Sequence, residues 1–250
     1  MTNEASVDEL KRLLFSSRSV VVLSGAGMST ESGIPDFRSP TGVWQDEDLM
    51  ESMSDGYLKR HPEEFWPKFK LGFMSEEYLS AKPNPGHLAL ADLEKMGKDI
   101  AIYTQNVDGL HQEAGSRHVY ELHGSIKTAY CPRCRSEYGL EYILSEEVPR
   151  CHWMNPKGQE CDTILFPDTV LFGQNVRHYE YAAISVQQCD LMLVLGTSLT
   201  VYPVADLPEY VRRDKTKLAI VNLDETDFDS KADVVIHGKV GEVLSQAVKF

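Results

Sequence analysis

Five runs built mostly of Val, Ile, Leu and Ala, at 20–23, 100–104, 191–195, 218–222 and 234–237, leave few folds open to this chain. Each is of strand length and lacks the apolar–polar alternation of a half-solvated strand. Each must therefore be buried on both faces, as strands are inside a parallel sheet covered by helices. Helical patterns at 87–96 and 179–188 separate several of the runs. Strand, helix, strand at this spacing predicts an α/β fold with a doubly wound parallel sheet. Ahead of the first run, Ser6 followed by Glu9 predicts a capping box for a helix reaching Phe15, with Leu10, Leu13 and Leu14 as its apolar stripe.

Two stretches break this rhythm. Residues 36–85 are rich in Trp, Phe, Tyr, Met and acids without a strand pattern, and predict a helical insertion. Residues 126–169 hold four of the five cysteines, several prolines and little helical periodicity. Cys131-Pro132-Arg133-Cys134 is a C-x-x-C knuckle, and Cys151 and Cys161 follow it. Four thiolates make a closed tetrahedral zinc site, structural because no position is left for substrate. The second pair is separated by nine residues, 152–160, where a C-x-x-C spacing is usual, and that longer loop carries His152 as a competing nitrogen ligand. The odd cysteine, Cys189, reads as a buried small hydrophobe. The predicted division is 1–35, 86–125 and 170–250 for a large domain, with 36–85 (helical) and 126–169 (zinc-binding) forming a smaller inserted lobe.

Charge narrows the partners. With 25 Lys and Arg against 38 Asp and Glu, the formal net charge is -13. A face for phosphate backbones would have to be built against that field, so no nucleic acid is expected as a partner, and basic peptides or neutral substrates fit better. Met1-Thr2-Asn3-Glu4 lacks the basic flank and apolar stretch of a signal peptide, and no apolar run approaches the roughly 20 residues of a membrane span. The expectation is a cytoplasmic protein with no membrane partner.

Gly25-Ala26-Gly27, directly after the first buried run, has the form of a dinucleotide-binding turn, in which glycines let the backbone approach a pyrophosphate. Thr30 stands where the third glycine of G-x-G-x-x-G belongs, and a plain strand–helix turn is the other reading. No acidic residue closes a second strand about 20 residues on, which disfavours a hydride-transfer domain. Gln105-Asn106-Val107-Asp108 follows another buried run, where doubly wound sheets place ligands, although an Asx-turn would use the same residues. His123 follows an extended segment at 119–122. A lone histidine is more often structural or exposed, but an imidazole titrating near 6.5 suits proton transfer at neutrality.

The glycine turn continues through Ser29, Thr30 and Gly33 into Ile34-Pro35-Asp36-Phe37-Arg38. Thr104-Gln105-Asn106-Val107-Asp108, Glu121-Leu122-His123-Gly124, Phe172-Gly173 and Gly196-Thr197-Ser198-Leu199 follow in order. With these elements the chain resembles the sirtuin family, the NAD-dependent protein deacylases, over about residues 20–240. The resemblance implies a Rossmann-like large lobe, a small lobe holding structural zinc, and a cleft in which NAD meets an acyl-lysine peptide. It implies that NAD is consumed as a co-substrate, giving deacylated lysine, nicotinamide and O-acyl-ADP-ribose.

Residue by residue, the resemblance makes His123 the general base toward the ribose hydroxyls and Asn106 its catalytic companion, with Gln105 and Asn106 holding ribose and an ordered water. Asp108 and the backbone at Val107 would receive the nicotinamide carboxamide. Phe37 would screen the anomeric carbon, Arg38 would contact the phosphates, and Ala26 and Thr30 would line the same region. Thr197 and Ser198 match a second phosphate turn, Asn222 a ribose contact, and Leu223 and Lys239 adenosine contacts. Val170, Phe172 and Gly173 would form the peptide edge and, with His123, the wall of the lysine tunnel. Val201, with Leu199, Tyr202 and Pro203, would form the opposite edge.

Gln174 departs from the glutamate common after that glycine. Family members that prefer succinyl or malonyl groups carry a Tyr and an Arg three residues apart after the Phe-Arg loop. Here 44–51 reads Trp-Gln-Asp-Glu-Asp-Leu-Met-Glu, so uncharged acyl groups are expected, acetyl first. The implied partners are acetyl-lysine peptides and proteins; no oligomeric state is encoded, and a monomer is compatible with the chain. Two other readings stand beside the deacetylase: a mono-ADP-ribosyltransferase, and an NAD- or ADP-ribose-sensing module. Retention of both Asn106 and His123 argues against a purely binding role.

Overall fold

The computed structural model describes residues 4–36 and 46–249. The chain opens with α1 (Glu4–Ser16) and β1 (Ser19–Ser24), makes two 3₁₀ turns (Ala26–Met28 and Thr30–Ser32), and later enters α2 (Glu47–Ser52), α3 (Asp55–Arg60), α4 (Pro62–Phe73) and α5 (Glu76–Ser80). It continues through α6 (Pro85–Lys95), β2 (Asp99–Thr104), α7 (Leu110–Glu113) and β3 (Val119–Glu121). Next come β4 (Gly124–Tyr130), β5 (Glu137–Gly139), α8 (Leu140–Ser145) and β6 (Phe166–Thr169). α9 (Tyr179–Gln188), β7 (Leu191–Leu195), β8 (Lys217–Asn222), β9 (Val234–His237) and α10 (Val240–Val248) complete it.

Every predicted apolar run is a strand of one parallel sheet of order β3-β2-β1-β7-β8-β9. Side chains alternate across a strand, and both faces of this sheet are covered. Val20 and Val22 join Leu191, Leu193 and Leu195 in a core closed by α1, α6 and α10. Val21 and Leu23 join Met192 and Val194 in a second core closed by α9 and the 3₁₀ segment Val204–Tyr210. Strand order reverses between β1 and β7, and this switch point opens a crevice at the carboxyl ends of the strands.

Helix starts depart from the sequence reading by small amounts. α1 already includes Glu4, so Ser6 lies within the helix and is not its cap; Glu4 and Ala5 are as helix-competent as the residues after them. α6 begins at Pro85 because Asn84 caps it, accepting from the amides of Gly86 (2.9 Å) and His87 (3.4 Å).

The insertion at 36–85 is helical over α2 to α5, and 126–169 folds as a three-stranded antiparallel sheet of order β5-β4-β6 with α8. They share one core. Phe65, Trp66, Phe69 and Phe73 of α4 are buried, and the Phe65 and Phe69 rings stack at 5.4 Å. Burying each such aromatic side chain stabilises the lobe by about 2–3 kcal/mol. The Trp66 indole N–H donates to the Leu165 carbonyl (2.8 Å), joining the helical part to the strand part. Val107 and Leu110, which follow β2, belong to this same core. Among the described residues no helix is long and apolar enough to cross a membrane.

Candidate active site at the switch point

The turns after β1 and β7 meet backbone to backbone. The Gly25 amide donates to the Leu195 carbonyl (3.0 Å) and the Gly27 amide to the Gly196 carbonyl (2.8 Å). Gly196 has φ +57, and a Cβ there would lie 2.3 Å from the Met28 nitrogen, so only glycine permits this approach. The Gln105 side-chain amide donates to Thr197 Oγ1 (3.0 Å) and ties in the turn after β2.

Above these turns lies a cavity of about 580 Å³, within the size range of small-molecule and cofactor sites. Of the residues singled out in the sequence, it brings together Ala26, Thr30, Gln105, Asn106, Val107, His123, Val170, Phe172, Gly173, Thr197, Ser198, Val201, Asn222, Leu223 and Lys239. Asp108 is not on the wall. Its buried carboxylate accepts from the Ser29 hydroxyl (2.7 Å) and the Leu110 amide (2.8 Å). Burial pushes that carboxyl upward, while the Leu110 and Ser29 bonds work against the shift. Phe37 and Arg38 lie outside the described residues.

Met53 and Phe73 also line the cavity, reaching it from the helical insertion, and nothing in their local sequence marks them. Ser29, to which the sequence reading assigns no role, stands in the same motif. It accepts from Asn106 Nδ2 (3.1 Å) and donates to Asp108, so it joins the two. Its fixed place after the glycine pair was a usable signal.

The groups with acid–base capacity are oriented by backbone. His123 Nδ1 lies 3.1 Å from the Gln105 carbonyl oxygen. A carbonyl only accepts, so Nδ1 carries the proton and Nε2 keeps a free lone pair. Burial lowers the His123 pKa below its ordinary value, with the Gln105 carbonyl partly opposing, so the neutral base persists below pH 6.5. Asn106 Nδ2 donates to the Gly25 carbonyl (3.0 Å) as well as to Ser29, which leaves Oδ1 as an acceptor.

The cysteines converge as the sequence predicts. The Sγ atoms of Cys131, Cys134, Cys151 and Cys161 all lie within 4.8 Å of one another, with Cys131–Cys161 at 3.7 Å and Cys134–Cys151 at 3.4 Å. A tetrahedron of thiolates about 2.3 Å from zinc has edges of about 3.8 Å, so the donor set and its spacing fit structural zinc. Hydroxyls of Tyr138, Ser136 and Thr163 lie at 3.2–3.3 Å from three of the sulfurs. His152 does not compete: its ring packs edge-on against Tyr138 (4.8 Å) and Tyr142 (4.9 Å), outside the thiol cluster. Cys189 is buried, as expected.

Comparison with known proteins places this geometry in context. The Sir2 family profile matches residues 25–203. An NAD-dependent protein deacetylase of Bacillus subtilis (strain 168) is 50% identical over 238 residues, covering 94% of this chain and 96% of that one. A solved Sir2 enzyme superposes with TM-score 0.85 at 38% identity, covering 98% of this chain and 97% of the other. A Sir2 structure with a deacetylated peptide and 3'-O-acetyl-ADP-ribose superposes with TM-score 0.84 at 40% identity, covering 95% of each chain.

Proposed function

The chain belongs to the Sir2 family and is an NAD-dependent protein deacetylase, and from that premise we propose how its residues divide the work. When bound, NAD supplies an electrophilic anomeric carbon carrying nicotinamide as leaving group, and it is consumed as the acetyl group of acetyl-lysine passes to ADP-ribose. Ala26, Thr30, Thr197 and Ser198, with Arg38, hold its phosphates over the paired glycine turns. Asn222, Leu223 and Lys239 hold the adenosine end. The Val107 backbone receives the carboxamide; Asp108, expected to share that contact, instead lies behind the wall and braces the turn through the Ser29 hydroxyl and the Leu110 amide, and Phe37 screens the reacting carbon from water. Gln105 and the Asn106 Oδ1 acceptor hold the ribose and a water.

His123 Nε2 takes the proton from the ribose hydroxyl system. The observation that carries this assignment is the Nδ1 contact with the Gln105 carbonyl in the cavity wall, which holds the ring in the tautomer a base requires.

The peptide lies along 170–173 by strand addition, opposite Val201. Phe172 has its amide bonded to the Met53 carbonyl and its carbonyl to the Asp55 amide (both 3.0 Å), and the Val170 amide is bonded to the His123 carbonyl (2.8 Å), so the peptide backbone pairs with the Val170 carbonyl and with Gly173. Apolar Met53, Phe73 and Leu171 in the lining support acetyl over succinyl groups, and Asp36, elsewhere in the same lining, adds an acid where a second carboxylate would be repelled. The division into 1–35, 86–125 and 170–250 against 36–85 and 126–169 is supported by the two sheets. A cytoplasmic location is supported by a thiolate metal site, which suits a reducing compartment.

Incubation with labelled NAD and acetyl-lysine peptide tests the whole reading. Nicotinamide release that depends on the acetyl-peptide, with stoichiometric deacetylated product, is the expected result. Label transferred to protein instead, or no turnover, would replace it with ADP-ribosylation or sensing.

A further inference from the structure

Gln174 is half-buried at the end of the peptide edge and makes two side-chain hydrogen bonds in opposite senses. Its Oε1 accepts from the Leu171 amide (3.0 Å), and its Nε2 donates to Asp55 Oδ1 (3.0 Å) on α3. The Gln174 amide also donates to the Leu171 carbonyl (3.0 Å), closing a turn in which Gly173 has φ +90. Asp55 is held from its other side by Lys59 (2.6 Å). The Lys59 ammonium, and then the Gln174 amide, keep the Asp55 carboxyl below its usual range, so it is an anion near neutrality. The same residue's backbone amide binds the Phe172 carbonyl, and Ser54 and Phe172 form an isolated parallel bridge.

We propose that Gln174 and Asp55 form a clasp that positions the 170–173 edge for the acyl-lysine peptide, with Gln174 acting as a positioning residue rather than a peptide contact. The proposal rests on the deacetylase reading. The chemistry requires an amide at 174: only an amide both accepts from Leu171 and donates to Asp55. A carboxylate at 174 would keep the first bond but set a second anion about 3 Å from Asp55, where like charges repel. Without the clasp, the edge keeps its backbone bonds at Val170, Phe172 and Gln174 but loses its side-chain tie to α3, and part of its ordering falls to the peptide on binding.

The test is steady-state kinetics with an acetyl-lysine peptide carrying no charged flanking residues. Gln174→Glu is expected to raise the peptide KM about tenfold, the loss of a hydrogen bond to a charged group, while kcat and the KM for NAD change little. Adding Asp55→Asn, whose amide can donate to the new carboxylate, should recover most of that loss. Gln174→Met keeps the side-chain length and loses both bonds, so it carries the same KM prediction should Gln174→Glu fold poorly.

An unchanged peptide KM in both single variants would overturn the clasp. So would a double variant no better than Gln174→Glu, or an effect confined to peptides with basic flanks, which would mark a direct peptide contact. Acetyl-dependent nicotinamide release by the unmodified protein separates the two levels: its absence removes the deacetylase reading, and its presence with unaffected variants removes only the clasp.

Discussion

A histidine acts as a base only while it is neutral, and the surroundings of His123 favour that state. Burial destabilises the imidazolium, so the folded-state pKa lies below 6.5. The neutral form predominates above that pKa, so kcat/KM should stay flat through neutrality and fall only as pH drops through a value below 6.5. An acid limb at or above 6.5 would contradict the assignment. His123→Ala should lower turnover by at least about 10²-fold while calorimetry still detects NAD binding; unchanged turnover would reject the base. Asn106 was legible in the sequence because it follows a buried run at the ligand end of a doubly wound sheet, whereas His123 follows a merely extended segment and was singled out through the family resemblance. The tautomer was not legible. It depends on the Gln105 carbonyl, 18 residues away, a contact only the fold creates. The route from Asn106 through Ser29 to Asp108 was hidden for the same reason, since its members come from two different turns.

At the scale of elements, the apolar runs foretold all the strands of the large sheet except the short β3, which was read only as an extended segment. Their composition left no other place for them. The small lobe was less legible because its order comes from cross-links rather than periodicity: the Trp66–Leu165 bond and the thiol cluster. Cys161 returns to the Cys131 knuckle as expected despite the long 152–160 loop; what the sequence left open was His152, because the tyrosines that sequester it lie outside that loop. Cys131 and Cys151 are buried in the same core as Trp66 and Leu165, so metal and packing stabilise each other. Chelation, or Cys151→Ser, is expected to release about one zinc per chain and to lower the unfolding midpoint of the protein. Zinc-free protein that melts like the untreated enzyme would show that the site contributes nothing to the fold.

For the whole molecule, two buried histidines outside the cavity lining are expected to weaken the fold in acid. His87 of α6 and His111 of α7 are buried with ring centroids 4.8 Å apart. His87 Nδ1 accepts from the Asn84 amide (3.3 Å), and His111 Nε2 meets the Ser24 hydroxyl (2.9 Å). Burial pushes His87 down to about 4 and His111 well below its ordinary value. Between about 6.5 and 4 the unfolded chain therefore takes up protons that the native one refuses. The stability they contribute is complete above 6.5 and is lost as pH falls, on the order of 3 kcal/mol for His87 by pH 4. Urea melts at pH 7.5 and pH 5 should show a lower midpoint at pH 5, and the difference should shrink in His87→Gln. An equal difference in that variant would trace the acid sensitivity to other groups.

Val107 and Leu110 sit in the aromatic interior of the metal-bearing lobe, although they emerge from the nucleotide sheet. The small-lobe core thus reaches into the β2–α7 turn, whose Val107 also lines the cavity. A chimera that exchanged only 36–85 and 126–169 for those of a relative would leave these two side chains facing a foreign surface. To stay whole, such a hybrid must carry the β2–α7 turn along with the graft, so the cysteine-bearing lobe and this stretch of the cavity wall are transplanted together or not at all.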